Sequence, residues 1–175
     1  MEFLVVIIFV AAIAYFALKL RLPTKQKISR DHLPDVFVVI DLETTGLDAS
    51  KHEIIEIAAI RYRKDGGKEH ETYQSLVRPK KKVPKKITEI TGITQEMIER
   101  DGQELHKALA EFNEFIGTHR LVTFNAEFDM AFLTSAWKKC DHAVPRNQVS
   151  CALKMARRAW PGRKTYRLSD LASAT

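Results

Sequence analysis

The sequence predicts an α/β domain built on a mixed β-sheet flanked by helices. Three observations predict it. Segments with strand character come first, at 36–41, 53–63 and 71–77. Segments with helical periodicity follow. A further strand, 121–124, falls between two of those helices. Strands followed by alternating helix and strand give a layered α/β sheet rather than a sandwich or a bundle.

Taken in order, the first element is set apart from the rest. Phe3 to Leu18 is an uncharged run of sixteen residues, interrupted by Lys19 and continued by Leu20 and Leu22. Counted from Phe3 to Leu22 it is about 30 Å of helix, enough to cross a hydrocarbon core. Glu2 precedes it without a Lys or Arg, which does not suit the basic start of a cleaved secretory signal. The expectation is therefore a transmembrane anchor over 1–22, a basic linker over 23–35, and a domain over 36–175. Lys19, Arg21, Lys25, Lys27 and Arg30 follow the run, so the positive-inside rule expects a single-pass membrane protein with its C-terminal domain in the cytoplasm.

Residues 36–41 are a short apolar run ending in Asp41, which reads as a buried strand. Residues 53–63 and 71–77 read as two more strands, joined through a hairpin-like turn at 64–68. Residues 78–86 are a basic loop broken by Pro79 and Pro84. Residues 94–99 suggest a short helix capped by Thr94. Leu105, Leu109, Phe112 and Ile116 mark one face of a helix over 103–116, stopped by Gly117. A helix over 126–139 follows the strand at 121–124, with Asn125 at its N-cap. A helix over 149–159 ends at Pro161-Gly162, and Leu168 begins a last one.

Composition narrows the function. The chain has 175 residues, 45% of them hydrophobic and 29% charged, an ordinary globular mixture. Its net charge of +6 suits a polyanionic partner. Residues 1–22 carry Glu2, Lys19 and Arg21, a net +1, so +5 of the surplus belongs to the part after them. Cys140 and Cys151 are too few for a disulfide scaffold or a zinc ribbon. Neither G-x-x-x-x-G-K-[ST] nor G-x-S-x-G occurs, so a P-loop ATPase and a serine hydrolase lack their usual signatures.

The chemistry is carried by acids. Asp41 and Glu43 stand at the carboxyl end of the first strand, two residues apart, so both side chains face the same way. Paired carboxylates in such a place call for a hard divalent cation. Thr44-Thr45-Gly46 follows as a tight turn that can offer backbone N–H groups to a phosphate or sugar. Asn125-Ala126-Glu127-Phe128-Asp129 opens a helix directly after a strand, and Asp129 lies one turn in, able to point back towards Asp41 and Glu43.

The strings Asp41-Leu42-Glu43-Thr44-Thr45-Gly46, Ile54-Ile55-Glu56-Ile57-Ala58-Ala59, Ile90-Thr91-Gly92-Ile93-Thr94, Asn125-Ala126-Glu127-Phe128-Asp129 and Ala156-Arg157-Arg158-Ala159-Trp160-Pro161-Gly162 resemble the DEDD, or DnaQ-like, 3′–5′ exonucleases, of the proofreading type found in the epsilon subunit of DNA polymerase III. The resemblance runs from about Val36 onward. It implies an RNase H-like fold and two divalent ions, Mg²⁺ or Mn²⁺. It implies that Asp41 bridges both ions, that Glu43 holds one, and that Asp129 holds the second through water. It further implies Thr44, Thr45, Gly46, Asn125 and Phe128 as contacts to the substrate, a single-stranded 3′ end of DNA or RNA.

The family's third motif, H-x-x-x-x-D, supplies a general base and a fourth carboxylate. None of the six His here has an Asp five residues later, and the sequence reaches Thr175 before that motif is expected. The expectation is a domain incomplete at its C-terminal end and weak or inactive, the competing reading being a catalytically dead, membrane-anchored domain that binds nucleic acid or protein. Tyr166 and Asp170 fit the Y-x-x-x-D form of a sister branch, but Leu168, Leu171 and Ala172 read as the buried face of a helix. The basic loop 78–86 is open to steering nucleic acid, to touching anionic lipid, or to being a solvated loop with neither role.

Overall fold

Nine consecutive residues of the first strand alternate between two apolar environments, and that alternation sets the architecture. The structure, a computed structural model, describes residues 34–63 and 70–173. Strands β1 (Val36–Thr44), β2 (Ile54–Arg63) and β3 (Glu71–Leu76) form an antiparallel meander. Helices α1 (Lys85–Thr91), α2 (Gln95–Asp101) and α3 (Leu105–Ile116) follow. Strand β4 (Arg120–Thr123) then pairs in parallel with β1. Helix α4 (Ala126–Lys139) leads to β5 (Val149–Cys151), parallel to β4, and the described part closes with α5 (Ala152–Ala159) and α6 (Leu168–Ala172). The sheet order is β3-β2-β1-β4-β5, a mixed sheet as the sequence predicts.

Because β1 is central, both of its faces are covered. Val38, Ile40 and Leu42 pack with Ile57 against Leu109, Phe112 and Ile116 of α3 and Phe132, Leu133 and Trp137 of α4. Phe37 and Val39 face the other way, onto Ala58, Ile60, Val122, Ala152 and Leu168. Period-2 alternation carries Asp41 and Glu43 onto this second face. A third cluster joins Ile55 and Leu76 to Ile93 and Ile98, with Val83 and Ile87 packed against it. Trp137 is fully buried, and its indole N–H donates to Asn113 Oδ1 at 3.0 Å, tying α4 to α3.

Several expectations are corrected. The fold class is an α/β mixed sheet flanked by helices without the preceding transmembrane helix: no helix among the described residues is long and apolar enough to cross a membrane. The expected anchor over 1–22 lies outside the described residues. It reached spanning length only by counting through Lys19, since the uncharged run alone falls short of the ~20 residues a span needs. The membrane localisation built on it is corrected with it. The turn at 64–68 also lies outside the described residues.

The segment 149–159 is not one helix. Its first three residues are β5, and helix begins at Ala152. A three-residue strand is too short to show a period, and its pairing with β4 decides its state. Residues 85–91 are a helix rather than the end of a loop. Its exposed lysines hide the helical face, of which Ile87 alone packs inward. Thr94 caps α2 as expected, accepting from the Met97 N–H at 3.2 Å. Asn125 starts α4 without a side-chain cap; its carbonyl accepts from the Phe128 and Asp129 N–H groups instead.

Trp137→Ala is expected to destabilise the domain by about 3–5 kcal/mol, the usual cost of truncating a buried aromatic. The shift of the urea midpoint relative to the unsubstituted chain checks this.

Candidate active site

Register brings the acids together. Asp41 pairs with Ala58 and Glu43 with Glu56 across the antiparallel β1–β2 ladder, so Glu43 and Glu56 sit side by side. Parallel pairing of β4 with β1 aligns their carboxyl ends, and Asp129 enters one turn into α4, directly after β4. Glu56 and Asp129 are buried, while Asp41 and Glu43 are half-buried. Thr123, fully buried at the end of β4, donates its hydroxyl to Asp129 Oδ2 at 2.5 Å. Gln74 donates its amide to Glu56 Oε1 at 2.7 Å, and Glu56 Oε2 is buried with no partner among the described residues.

The electrostatics follow. Asp41 is held well above the ordinary carboxylate range by desolvation, then by the charges of Asp129, Glu43 and Glu56. Glu43 is pushed up to about 7 by desolvation and by Glu56 and Asp129. Asp129 rises to about 6 by desolvation, opposed by the Thr123 hydroxyl. Glu56 is raised by desolvation, opposed by Gln74. Four acids thus compete for one region, and among the described residues no Lys or Arg side chain pairs with them.

Sequence reasoning named Asp41, Glu43 and Asp129, and these are the acids that feel one another. It quoted Glu56 without giving it a role. The available signal was an acid inside an otherwise apolar strand, where an unpaired carboxylate is costly. The turn after β1 is more committed than the sequence suggested. Thr44 Oγ1 donates to the Gly46 carbonyl at 2.7 Å. The Thr45 N–H donates to the Glu53 carbonyl at 2.9 Å, so it is spent within the loop. Glu53 N–H donates back to Thr45 Oγ1 at 3.0 Å, and His52 Nδ1 lies 3.4 Å from that hydroxyl. A Cβ on Gly46 would meet the His52 ring at 2.5 Å, so this glycine serves a close approach. Phe128 packs against Phe132 in a tilted pair, 4.9 Å between ring centroids, and is partly buried against the α3–α4 core. Tyr166 donates its hydroxyl to the Trp160 carbonyl at 2.5 Å, and Asp170 accepts from Thr165 at 2.9 Å, while Leu168 and Leu171 are buried.

The donor set is all oxygen, which suits Mg²⁺ or Mn²⁺ rather than a thiophilic metal. Among the described residues, no three His, Cys, Asp or Glu side chains are drawn together closely enough to hold an ion as they stand.

The sequence profile of the exonuclease family matches residues 38–175. The chain belongs to the DnaQ-like 3′–5′ exonuclease family. It is 41% identical over 145 residues to the DNA polymerase III epsilon subunit of Aquifex aeolicus, covering 82% of this chain and 70% of that one. It is 36% identical over 138 residues to the PolC-type DNA polymerase III of Bacillus subtilis, which covers 78% of this chain and 9% of that much longer polymerase. E. coli exonuclease I in complex with a dA16 oligonucleotide shares the fold with a TM-score of 0.69 at 18% identity, over 81% of this chain and 36% of that one. The chain therefore spans well under two thirds of the PolC-type and exonuclease I relatives. DnaQ-like exonucleases use two divalent ions, generally Mg²⁺ or Mn²⁺.

The raised acids set a pH dependence. A carboxyl that holds its proton more tightly folded than unfolded contributes stability below about pH 4, and that stability is lost as pH rises through 6 to 7. Without metal, the urea midpoint is expected to fall between pH 5 and pH 8. Asp129 alone, moved to about 6, contributes roughly 1–2 kcal/mol of that fall. Asp129→Asn and Glu43→Gln should each flatten the profile.

Proposed function

We propose that this chain is a metal-dependent 3′–5′ exonuclease domain acting on single-stranded nucleic-acid ends, with Asp41, Glu43 and Asp129 as its metal-holding and catalytic acids. The observation that carries the reading is the convergence of these three acids with Glu56 at the carboxyl end of the central strands, where among the described residues the side chains that donate to them are those of Thr123 and Gln74. Folding gains nothing from such a cluster. Two cations would remove the repulsion, and when bound they supply the positive charge that an attacked phosphodiester needs.

The chain's own residues then have distinct tasks. Asp41 and Glu43 project together from β1 and would face the two cations from the sheet. Asp129 would approach from α4, its rotation fixed by the Thr123 hydroxyl. Glu56, its Oε1 held by the Gln74 amide, stands beside Glu43 on the neighbouring strand and adds to the negative charge there. Thr44, Thr45 and Gly46 would flank the substrate's end on one side, and Asn125 and Phe128 at the start of α4 would flank it on the other. Both flanks are candidates to touch the terminal nucleotide. DNA and RNA share the phosphate that these groups would grip.

Metal should stabilise the fold by mass action. Millimolar Mn²⁺ is expected to raise the thermal midpoint, and Asp41→Ala should abolish the rise. Nucleotide release from the 3′ end of a labelled single strand should require Mn²⁺ or Mg²⁺ and vanish in Asp41→Ala. Residues 1–175 contain no H-x-x-x-x-D, so release by this polypeptide should run about 10²–10⁴-fold slower than release by the same polypeptide continued through a segment bearing that motif, the range that general acid–base catalysis contributes. Metal-independent release, or release that survives Asp41→Ala, would refute the reading.

A further inference from the structure

Six basic residues and no acid lie between positions 78 and 86. Five of them, Lys80, Lys81, Lys82, Lys85 and Lys86, are exposed, and none forms an ion pair among the described residues. The sixth, Arg78, is the anchor. Its guanidinium donates to the Gly102 carbonyl at 2.7 Å and pairs with Glu104 at 3.3 Å. The Lys80 N–H donates to the Glu53 carboxylate at 3.1 Å, and the Val83 N–H to Gln95 Oε1 at 3.0 Å. Val83 and Ile87 pack on the cluster of Ile55, Leu76, Ile93 and Ile98. The segment is therefore fixed by its backbone and apolar side chains, and its lysines are what it presents outward.

Its place in the sheet points to a partner. Leu76, from which the segment departs, pairs with Glu56, and Glu56 pairs with Glu43. Two strand spacings put the start of the segment about 10 Å from Glu43. Lys85 and Lys86 occupy the first turn of α1, where the helix macrodipole disfavours cations. Folding does not account for five unpaired lysines beside four acids that repel one another. A strand of phosphates does.

We propose that residues 80–86 form the phosphate track that holds a single strand on the 5′ side of the scissile bond. The proposal rests on the exonuclease reading above. A rival surface exists after β5, where Lys154, Arg157, Arg158, Arg163, Lys164 and Arg167 also leave the sheet at its active end. Half of its cations are committed: Lys154 pairs with Glu127 at 2.7 Å, Arg157 lies over the Tyr166 ring, and Arg163 lies over the Trp160 ring and donates to the Asp170 carbonyl. Arg158, Lys164 and Arg167 remain, fewer than the five exposed lysines gathered within 80–86.

The test measures binding of 5′-labelled dT16, U16 and dT3 to the full 175-residue chain by fluorescence anisotropy, with Ca²⁺ as the metal, over a range of KCl concentrations. For a single strand, each phosphate neutralised contributes about 0.7 to the slope of log affinity against log salt. The triple variant K80Q/K81Q/K82Q should make the dT16 slope shallower by about 2, and K85Q/K86Q by about 1.4. The change should be equal for dT16 and U16, because phosphate is common to both, and the preference for dT16 over dT3 should shrink. R158Q/K164Q/R167Q should leave the slope unchanged. The thermal midpoint of each variant reports that it is folded. Unchanged slopes in both lysine variants, a slope lost in the Arg158 variant instead, or a change confined to one polymer would overturn the proposal. Mn²⁺-dependent nucleotide release, lost in Asp41→Ala, is scored separately. If it is present while the slopes do not move, the track is wrong and the exonuclease reading stands. If it is absent at every salt concentration, the exonuclease reading falls and the track falls with it.

Discussion

Mutual repulsion among Asp41, Glu43, Glu56 and Asp129 is the constraint around which the molecule is organised. Two neighbouring strands place Glu43 beside Glu56, and a parallel neighbour delivers Asp129 from its following helix. Among the described residues two neutral side chains answer this charge, the Thr123 hydroxyl and the Gln74 amide. The large apolar clusters on both faces of the sheet are what allow the fold to carry the penalty. A positive counter-ion would convert the same arrangement from a liability into a tightly held site. That is why the oxygen-only composition of the cluster says more about function than any single residue in it.

How much of this was legible in the sequence depends on the length scale of the signal. Val36–Thr44 announced itself, because an apolar run ending in D-x-E can hardly be anything but a central strand with acids at its carboxyl end. The α3 face and the Thr94 cap were equally plain, since a 3.6 period and a capping hydroxyl are local properties. β5 was not, because Val149, Ser150 and Cys151 become a strand only through β4, which is distant in sequence. The helix at Lys85–Thr91 was masked by its lysines. The predicted membrane helix shows the opposite error, in which hydropathy was counted through a charge to reach the required length.

The candidate site divides in the same way. Asp41 and Glu43 are two residues apart, so strand geometry alone puts them on one side. Asp129 needed its position after a strand to be noticed. Glu56 needed the register, because nothing in its immediate neighbours says that it will lie opposite Glu43. The turn at Thr44-Thr45-Gly46 was read as a cradle of free N–H groups, whereas the structure uses Thr45 to close the loop onto Glu53. Sequence shows which groups are present; pairing shows which are still available.

The β1–β2 register has a consequence for how such a chain can change over generations. Side chains on a strand alternate, so inserting or deleting one residue within 54–56 would turn Glu56 to the opposite face and bring an apolar neighbour into its place. The same change within 47–51, in the loop joining the two strands, would leave every pairing intact. Length variation is therefore channelled into the connection, and the strands are confined to point substitution. A chain of this fold can reshape the rim of its cleft by indels while the acidic centre stays in register.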